Sequence, residues 1–289
     1  GVSVKPFVVG LGIDTSYLHH FDCIGTYFNA DSKENFEVIM KTVMEQAVSN
    51  TTLEIDLLDT QKKPTETNVS FSLYDQRTGI LKYSYLHTLN YRGNPDTIPI
   101  DPLTTYKLVV HTIPQVEKGD IKITPGEHNI VAVDAPQGSL MVKQGSSGYW
   151  STTKVVVRSQ DGCKILNVQD ANVSDRYIVN KYDVEVLTLP RMTFDDVSID
   201  QSKTTTLQIP RSGILEYAAV YFHYGAIFKY DKGIDEWVVN LDPEKTSGKF
   251  ELLPGKYKVV WRQDTSTNTV TTRERIFNIR SGETTTISF

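Results

Sequence analysis

The chain has 289 residues, of which 39% are hydrophobic and 22% are charged, a composition typical of folded proteins. This length exceeds what one ordinary core requires and predicts two or more domains. A formal net charge of −5 offers no basic face to a polyanion, so no nucleic-acid partner is expected. No run of eighteen apolar residues occurs, and no membrane span is predicted.

The first fifty residues have the pattern of an α/β segment. An apolar run near the N-terminus indicates a buried strand, residues 16–24 a short helix, and residues 27–30 a second strand. A helix N-cap follows at Asp31 or Ser32, and apolar residues then recur at i, i+3 and i+4 spacing as far as Ala47. The order strand, helix, strand, helix is typical of a doubly wound α/β sheet.

These residues resemble the last two strand–helix units of a von Willebrand factor A domain. The matching order is strand, Gly10-Leu11-Gly12, helix, Gly25-Thr26-Tyr27-Phe28-Asn29-Ala30, helix. The resemblance implies that the chain begins inside such a domain. The family's metal-ion-dependent adhesion site needs an Asp-x-Ser-x-Ser sequence, and Asp14-Thr15-Ser16 follows the wrong strand and lacks the second serine. A divalent metal is therefore expected only upstream of this chain, and no cofactor or metal ligand is assigned within it.

From Leu53 onward, apolar and polar residues alternate with the period of a β-strand. Three segments then repeat one pattern, in which a tyrosine opens a strand and two pairs of alternating apolar residues follow. The tyrosines are Tyr106, Tyr182 and Tyr257, and the pairs are Ile121/Ile123 with Val131/Val133, Val197/Ile199 with Leu207/Ile209, and Phe277/Ile279 with Ile287/Phe289. A fixed period predicts an array of like modules. About seven short strands in the first module predict a β-sandwich.

The predicted fold is therefore mainly β, with tandem β-sandwich modules after a small N-terminal α/β segment. The predicted boundaries are 1–50 for the α/β segment and 51–136, 137–211 and 212–289 for the three sandwiches. Within them, Pro125-Gly126 is predicted to turn the last hairpin of the first module, and residues 177–187 are predicted to form one strand.

The sequence Leu-x-Pro-Gly-x-Tyr-x-Val at residues 252–259 resembles the carboxypeptidase regulatory-like and transthyretin-like group of Ig-like β-sandwiches, with Pro-Gly predicted as a tight turn. An A-domain tail followed by such modules is similar to secreted or envelope-anchored bacterial proteins. That resemblance implies an extracytoplasmic location and a non-catalytic role in adhesion or as a scaffold. The expected partners are other proteins or surface glycans.

No cluster of residues predicts catalysis. His19 and His20 are adjacent, and adjacent positions on a helix point about 100° apart, so they rarely share one ion. Cys23 and Cys163 are expected to be unpaired thiols. An enzyme is not predicted, and a hydrolase with a cleft between modules remains the alternative.

A second interpretation is carbohydrate binding through aromatic side chains in loops. The candidates are Tyr149 and Trp150 in a Gly/Ser loop, and Tyr221, Tyr224 and Trp237 near turns of the third module. Exposed rings of this kind can stack on sugars, whereas the same rings inside a core contribute only buried apolar area. Both interpretations stay open at the level of the sequence.

Overall fold

The structure is a computed structural model that describes residues 7–11, 26–48, 51–145, 153–231 and 233–289. It is mainly β, as predicted, and most strands belong to paired three-stranded and four-stranded sheets. The chain forms two compact units, residues 1–136 and 137–289. The finer division at 50/51 and 211/212 stays a prediction from the sequence.

The N-terminal α/β segment contains two parallel strands and one helix. Strand β1 (Phe7–Leu11) pairs with β2 (Thr26–Ala30), and helix α1 covers Lys33–Val48. The Ser32 hydroxyl accepts a hydrogen bond from the Asn35 amide at 3.1 Å, which satisfies one of the free amides of the first turn. The two strands and the helix are where the sequence predicts them, and the short helix predicted at 16–24 lies outside the described residues.

The first sandwich is built from seven strands in two sheets. The sheet in the order β6-β3-β9 consists of β3 (Thr52–Leu58), β6 (Thr97–Pro99) and β9 (His128–Asp134). The sheet in the order β5-β4-β7-β8 consists of β4 (Ser70–Asp75), β5 (Leu81–Leu86), β7 (Tyr106–Val110) and β8 (Val116–Ile121). The first and last strands, β3 and β9, pair in parallel, and the other pairs are antiparallel.

The second compact unit repeats this topology twice. One copy has the sheets β13-β10-β16 and β12-β11-β14-β15, with β10 (Gln137–Gln144), β11 (Lys154–Ser159), β12 (Ile165–Asp170), β13 (Ser174–Ile178), β14 (Asn180–Val186), β15 (Met192–Ile199) and β16 (Thr204–Ile209). The other has the sheets β20-β17-β23 and β19-β18-β21-β22, with β17 (Gly213–Ala218), β18 (His223–Asp231), β19 (Ile234–Asn240), β20 (Ser247–Leu252), β21 (Gly255–Gln263), β22 (Arg273–Ile279) and β23 (Thr284–Ser288). These are called the second and third sandwiches below.

The repeated tyrosine has a defined structural task in each sandwich. Its ring is buried, and its hydroxyl donates a hydrogen bond to a backbone carbonyl four or five residues earlier. The bonds run from Tyr106 to Asp101 at 2.9 Å, from Tyr182 to Ile178 at 2.6 Å and from Tyr257 to Leu253 at 2.7 Å. This is the tyrosine corner of β-sandwich proteins, which fixes the chain where it crosses from one sheet to the other.

The register explains the spacing of the apolar pairs that follow each tyrosine. The first member of each following pair lies directly opposite the tyrosine on the neighbouring strand: Ile121, Val197 and Phe277. In the third sandwich, both sheets contribute buried residues to one core, among them Leu215, Ile227, Tyr257 and Ile287. The repeat in the sequence is therefore a repeat of core positions.

Two local predictions are wrong for one shared reason, since each treats a crossover between sheets as a continuous strand or a hairpin. Pro125-Gly126 joins β8 to β9, and these strands belong to different sheets. The predicted tight turn at Pro254-Gly255 lies at the short link from β20 to β21, which also enter different sheets. Residues 177–187 are two strands, β13 and β14, which separate at Val179 and enter different sheets. Alternation of apolar residues continues through such a crossover, because both sheets face one core.

Candidate ligand-binding cavity

The aromatic residues predicted as candidates fall into three groups. Tyr149 and Trp150 lie outside the described residues. Tyr221 lies in the loop between β17 and β18, and Tyr224 lies on β18 one residue into the strand. Trp237 lies on the edge strand β19. Tyr221, Tyr224 and Trp237 are 62%, 55% and 58% exposed, so none of them serves only to fill a core.

One end of the third sandwich contains a cavity of about 440 Å³. It is lined by residues 219–223, by residues 261–263 at the end of β21, and by Ser266, Thr271, Arg273 and Phe289. Tyr221 belongs to this lining, whereas Tyr224 and Trp237 do not. The Trp237 indole donates a hydrogen bond to the Asn240 side chain at 2.9 Å, so the structure does not bring this candidate to the cavity.

Backbone hydrogen bonds hold the loop that carries Tyr221 on both sides. The Val220 amide donates to the Phe289 carbonyl at 3.3 Å, and the Asp264 amide donates to the Phe222 carbonyl at 3.0 Å. A second loop is ordered by Asn268, whose side chain accepts from the Val270 amide at 3.0 Å and caps a single 3-10 turn, Thr269–Thr271. Both walls of the cavity are thus fixed by their own hydrogen bonds.

Aromatic rings support the cavity from beneath. The Phe289 ring stacks on Tyr217 with centroids 5.7 Å apart and lies 4.6 Å from the ring of Trp261. His223 meets Phe289 edge to face at 5.1 Å and Tyr217 edge to face at 5.8 Å. Such pairs are stabilising beyond their buried area, so this floor is rigid.

His223 is a buried imidazole with one unused nitrogen. Its side chain is almost fully enclosed, and its Nδ1 atom lies 3.2 Å from the Tyr221 carbonyl. A carbonyl oxygen only accepts hydrogen bonds, so Nδ1 carries the hydrogen and Nε2 is an acceptor in the neutral ring. The Nε2 atom is buried and has no partner in the structure. Buried polar atoms without a partner are uncommon in folded proteins.

Arg262 brings a second unused group to the same lining. Its Nη1 atom is buried without a hydrogen-bond partner, and its guanidinium lies 5.8 Å from the centre of the Tyr224 ring. Tyr224 therefore contacts a lining residue through a cation–π interaction, although it does not line the cavity itself. Arg273 adds a second positive charge, and the side chains that line the cavity include no carboxylate. The cavity therefore attracts negative charge.

The pairing of the strands explains why sequence reasoning missed Trp261, Arg262 and Arg273. Strand β21 places Trp261 beside Gly225 on one neighbour and beside Arg273 on the other. The corresponding pairs in the first and second sandwiches are Phe71 with Val110 and Val155 with Val186, all of them buried aliphatic or aromatic residues.

At this position, the third sandwich has the pair Gly225–Trp261, where the first and second sandwiches have pairs of buried apolar side chains. A Cβ atom at Gly225 would lie 2.8 Å from the Val260 carbonyl oxygen and 3.1 Å from the Trp261 Cβ atom, so only glycine fits there. This departure from the repeat was visible by aligning the three tyrosine-led strands. It was the one sequence signal that marked this end of the module.

A second cavity, of about 320 Å³, lies on the first sandwich beside Asp75, Lys107 and Glu117. Its charged groups already have partners, because Lys107 pairs with Glu117 at 2.6 Å and Asp75 accepts from the amides of Arg77 and Thr78. It offers no comparable unused group on these three side chains.

The described parts of the chain offer neither a metal-binding cluster nor a membrane-spanning helix. Within them, no group of three or more His, Cys, Asp or Glu residues has the geometry to hold a metal ion. Within the same ranges, no helix has both the length and the apolar character that crossing a bilayer requires. Cys163 is an exposed free thiol, and Cys23 lies outside the described residues.

No protein-family profile matches the chain, and no curated protein matches it. Among solved structures, it is similar to the Bacillus anthracis TIE protein, with 14% identity, 83% of this chain and 50% of that chain covered, and a TM-score of 0.24. It is also similar to BcpA, the major pilin subunit of Bacillus cereus, with 10% identity, 83% and 98% coverage and a TM-score of 0.22. The minor pilin GBS52 of Streptococcus agalactiae gives 10% identity, 83% and 94% coverage and a TM-score of 0.20.

The chain spans half the length of the TIE protein. It spans 26% of a leucine-rich repeat protein from Bacteroides thetaiotaomicron, with which it shares 9% identity. Similarity of this extent gives no information on what the chain binds.

Proposed function

We propose that this chain is a non-enzymatic interaction protein of the adhesion or scaffold type, located at a bacterial envelope or surface. The observation that carries the proposal is the cavity of the third sandwich, with exposed aromatic side chains at its rim and unused polar atoms in its wall. An aromatic rim around a charged wall is typical of recognition sites.

The chemistry of the lining supports binding over catalysis. Its polar side chains are the two arginines, His223, Gln263, Ser266 and Thr271. His223 lies among aromatic rings, and the lining supplies no carboxylate or cysteine side chain to act with it in acid–base or nucleophilic chemistry. A hydrolase site is therefore not part of the proposal.

The N-terminal segment enters the proposal as the end of a von Willebrand factor A domain. The parallel pair β1–β2 followed by α1 has the strand and helix order of such a domain. The extracytoplasmic location rests on the same resemblance.

Carbohydrate binding is a second candidate function, and the exposure of Tyr221 and Phe222 favours it. These neighbouring rings are 62% and 50% exposed at the mouth of the cavity, where one face of each ring can stack on a ligand. In this candidate function, the cavity serves as the glycan site and Trp237 is a separate surface, while Tyr149 and Trp150 stay candidates from the sequence.

The test is a binding screen of the full chain against glycans and against surface proteins. A double variant, Tyr221→Ala with Phe222→Ala, removes the rim, and Tyr91→Ala is the matched control because Tyr91 is 90% exposed on the first sandwich. We expect the double variant to lose binding and the control to keep it. Equal binding by both variants would place recognition elsewhere, and turnover of a ligand would contradict the non-enzymatic role.

A further inference from the structure

We infer that the outer face of the four-stranded sheet in the third sandwich binds an extended acidic polysaccharide. This sheet has the order β19-β18-β21-β22, and its outer face is the side turned away from the core. The inference rests on the second candidate function, glycan binding, and assigns it to a surface other than the cavity. It starts from side chains that the register of the strands places together on this face.

A row of aromatic rings follows β18 on the outer face. Ile227 of this strand lies in the core. Because side chains alternate along a strand, Tyr224, Phe228 and Tyr230 lie on the other side. The register places Trp237 of β19 directly beside Phe228 on that side. Tyr224 and Trp237 are both more than half exposed, so the face offers open ring surface to a ligand.

Two cations of the neighbouring strand β21 lie beside these rings. The Arg262 guanidinium lies 5.8 Å from the centre of the Tyr224 ring, and the Lys256 ammonium lies 4.7 Å from the centre of the Tyr230 ring. These two cations lie near opposite ends of β21, about 20 Å apart along the strand. A ligand that meets both charges is therefore extended.

These two charges are open, whereas a third cation between them is neutralised. The Lys258 ammonium contacts the Asp235 carboxylate and lies 3.5 Å from the Glu274 carboxylate. Within the described residues, neither Lys256 nor Arg262 has an ion-pair partner, and the Arg262 Nη1 atom has no hydrogen bond. The face therefore attracts a negatively charged ligand.

The unused polar groups of the face are hydrogen-bond donors. The Asn240 side-chain oxygen accepts from the Trp237 indole at 2.9 Å, which leaves its amide nitrogen as a donor. Lysine and arginine side chains are also donors only. The ligand must therefore supply acceptors, as the carboxylate and hydroxyl oxygens of an acidic sugar do. A peptide main chain also carries a donor on each residue, for which these groups offer no acceptor.

The open rings are particular to the third sandwich. In each sandwich, one equivalent position precedes the first inward residue of the second strand, and the other directly follows the bulge in the next strand. The residues at these positions are not aromatic in the other two sandwiches: Ser70 and Leu81 in the first, Lys154 and Ile165 in the second. The repeated fold therefore does not require the rings of Tyr224 and Trp237.

The test is calorimetric titration of the full chain with polygalacturonate fragments of increasing length and with neutral galactan fragments of the same lengths. We expect the acidic fragments to bind roughly threefold to tenfold more tightly, the effect of one or two exposed ion pairs. Affinity should rise with length until a fragment spans the two cations. Added salt should weaken the binding, since both charges lie at the surface.

Two sets of variants locate the binding. Tyr224→Ala with Trp237→Ala should weaken it about tenfold, because two stacking surfaces are removed. Lys256→Glu should weaken it about threefold to tenfold, and it decides the same point if the double variant does not fold, since Lys256 is exposed. Tyr221→Ala with Phe222→Ala, which removes the rim of the cavity, is the matched control and should bind as tightly as the unchanged chain.

The outcomes separate this inference from glycan binding at the cavity. Binding that is lost in the cavity variant and kept in the ring variant would overturn the inference and leave the second candidate function intact. Equal binding of neutral and acidic fragments, or tighter binding of polyglutamate, would also overturn it. A chain that binds no acidic polysaccharide would overturn it as well, while the screen against surface proteins decides the adhesion role separately.

Discussion

Two buried histidines, one in the first sandwich and one in the third, show how the same fold can close or open a polar site. His87 is 3% exposed, and both of its ring nitrogens have partners: Nε2 lies 2.8 Å from the Ile55 carbonyl and Nδ1 lies 3.3 Å from the Thr67 hydroxyl. His223 is 1% exposed and has a partner at Nδ1 only. The difference shows that burial of a histidine does not by itself indicate function, and that an unused nitrogen marks a polar atom for which the fold supplies no partner.

The second sandwich closes one buried polar side chain, Gln169, in the same way as the first closes His87. The Gln169 amide donates to the Leu140 and Val173 carbonyls at 3.2 and 3.0 Å, and its carbonyl accepts from the Tyr177 hydroxyl. A network with its members satisfied rigidifies a core. The third sandwich shares the frame and the tyrosine corner, but it leaves His223 and Arg262 open at one end.

The largest expected effect concerns four buried tyrosines, the three corner residues and Tyr177 of the second sandwich. Burial raises the pKa of Tyr182 to about 12, and it also raises the pKa of Tyr106, Tyr177 and Tyr257 from the ordinary value of 10.0. The unfolded chain loses these protons first, so the stability they contribute is complete below pH 10 and decreases as the pH rises toward 12 and above.

The loss of stability from ionising four buried phenols should exceed the loss from any single substitution, because each unit of pKa corresponds to about 1.4 kcal/mol. The measurement is an alkaline titration that follows tyrosinate absorbance and circular dichroism together. We expect the buried phenols to ionise only as the β-sheet signal is lost. Complete ionisation of every tyrosine with an unchanged β-sheet signal would contradict the burial of the corners.

Replacing one corner tyrosine should have the next largest effect. Tyr257→Ala removes a fully buried ring that stacks on Phe277 and should destabilise the third sandwich by about 3–5 kcal/mol. Tyr257→Phe removes only the hydrogen bond to the Leu253 carbonyl and should cost about 1 kcal/mol. Urea unfolding of both variants measures the difference. Equal losses would show that the ring contributes nothing beyond its hydroxyl, and would contradict its place in the core.

A glycine substitution tests the close approach of the strands β10 and β17 to the backbone that follows β15 and β22. A Cβ atom at Gly213 would lie 2.3 Å from the Arg280 carbonyl oxygen, and one at Gly138 would lie 2.1 Å from the Asp200 carbonyl oxygen. Gly213→Ala should therefore destabilise by about 1–3 kcal/mol, the usual cost of overpacking. Gly119→Ala is the control, because its Cβ would meet only the flexible end of Gln76 at 3.2 Å. A tolerated Gly213→Ala would contradict the close approach of Gly213 to the Arg280 carbonyl.

The smallest expected effect separates the two histidines directly. His87→Leu removes two hydrogen bonds from a closed site and should destabilise by about 1–3 kcal/mol. His223→Leu removes one hydrogen bond together with the unpaired Nε2, so its loss of stability should be below about 1 kcal/mol. Thermal and urea unfolding compare the two variants. A larger loss for His223 would mean that its site is built for stability.

The sequence predicts the sandwich fold of this protein better than its candidate ligand-binding cavity. The spacing from Tyr106, Tyr182 and Tyr257 to the following apolar pairs predicts the register, since partners across a sheet must recur at fixed distances. The crossovers at Pro125 and at Val179 were missed, because alternation in sequence does not reveal a change of sheet.

The cavity depended on a different kind of information. Tyr221 was found from its place near a turn, and it does line the cavity. Arg262 and Arg273 come from strands that are distant in sequence from Tyr221, and their unused or unneutralised charges appear only after the sheet is assembled. The exchange of Phe71 and Val110 for Gly225 and Trp261 was the one local pattern that could have marked the site.

The most direct test is to record the side-chain nitrogen resonances of the labelled full chain while the glycan or protein that binds most tightly in the screen is added. We expect the His223 Nε2 and the Arg262 guanidinium resonances to move with saturation, while both nitrogens of His87 stay unchanged. Saturable binding that leaves His223 and Arg262 unmoved, or that moves His87 equally, would contradict the account of an open polar site in the third sandwich.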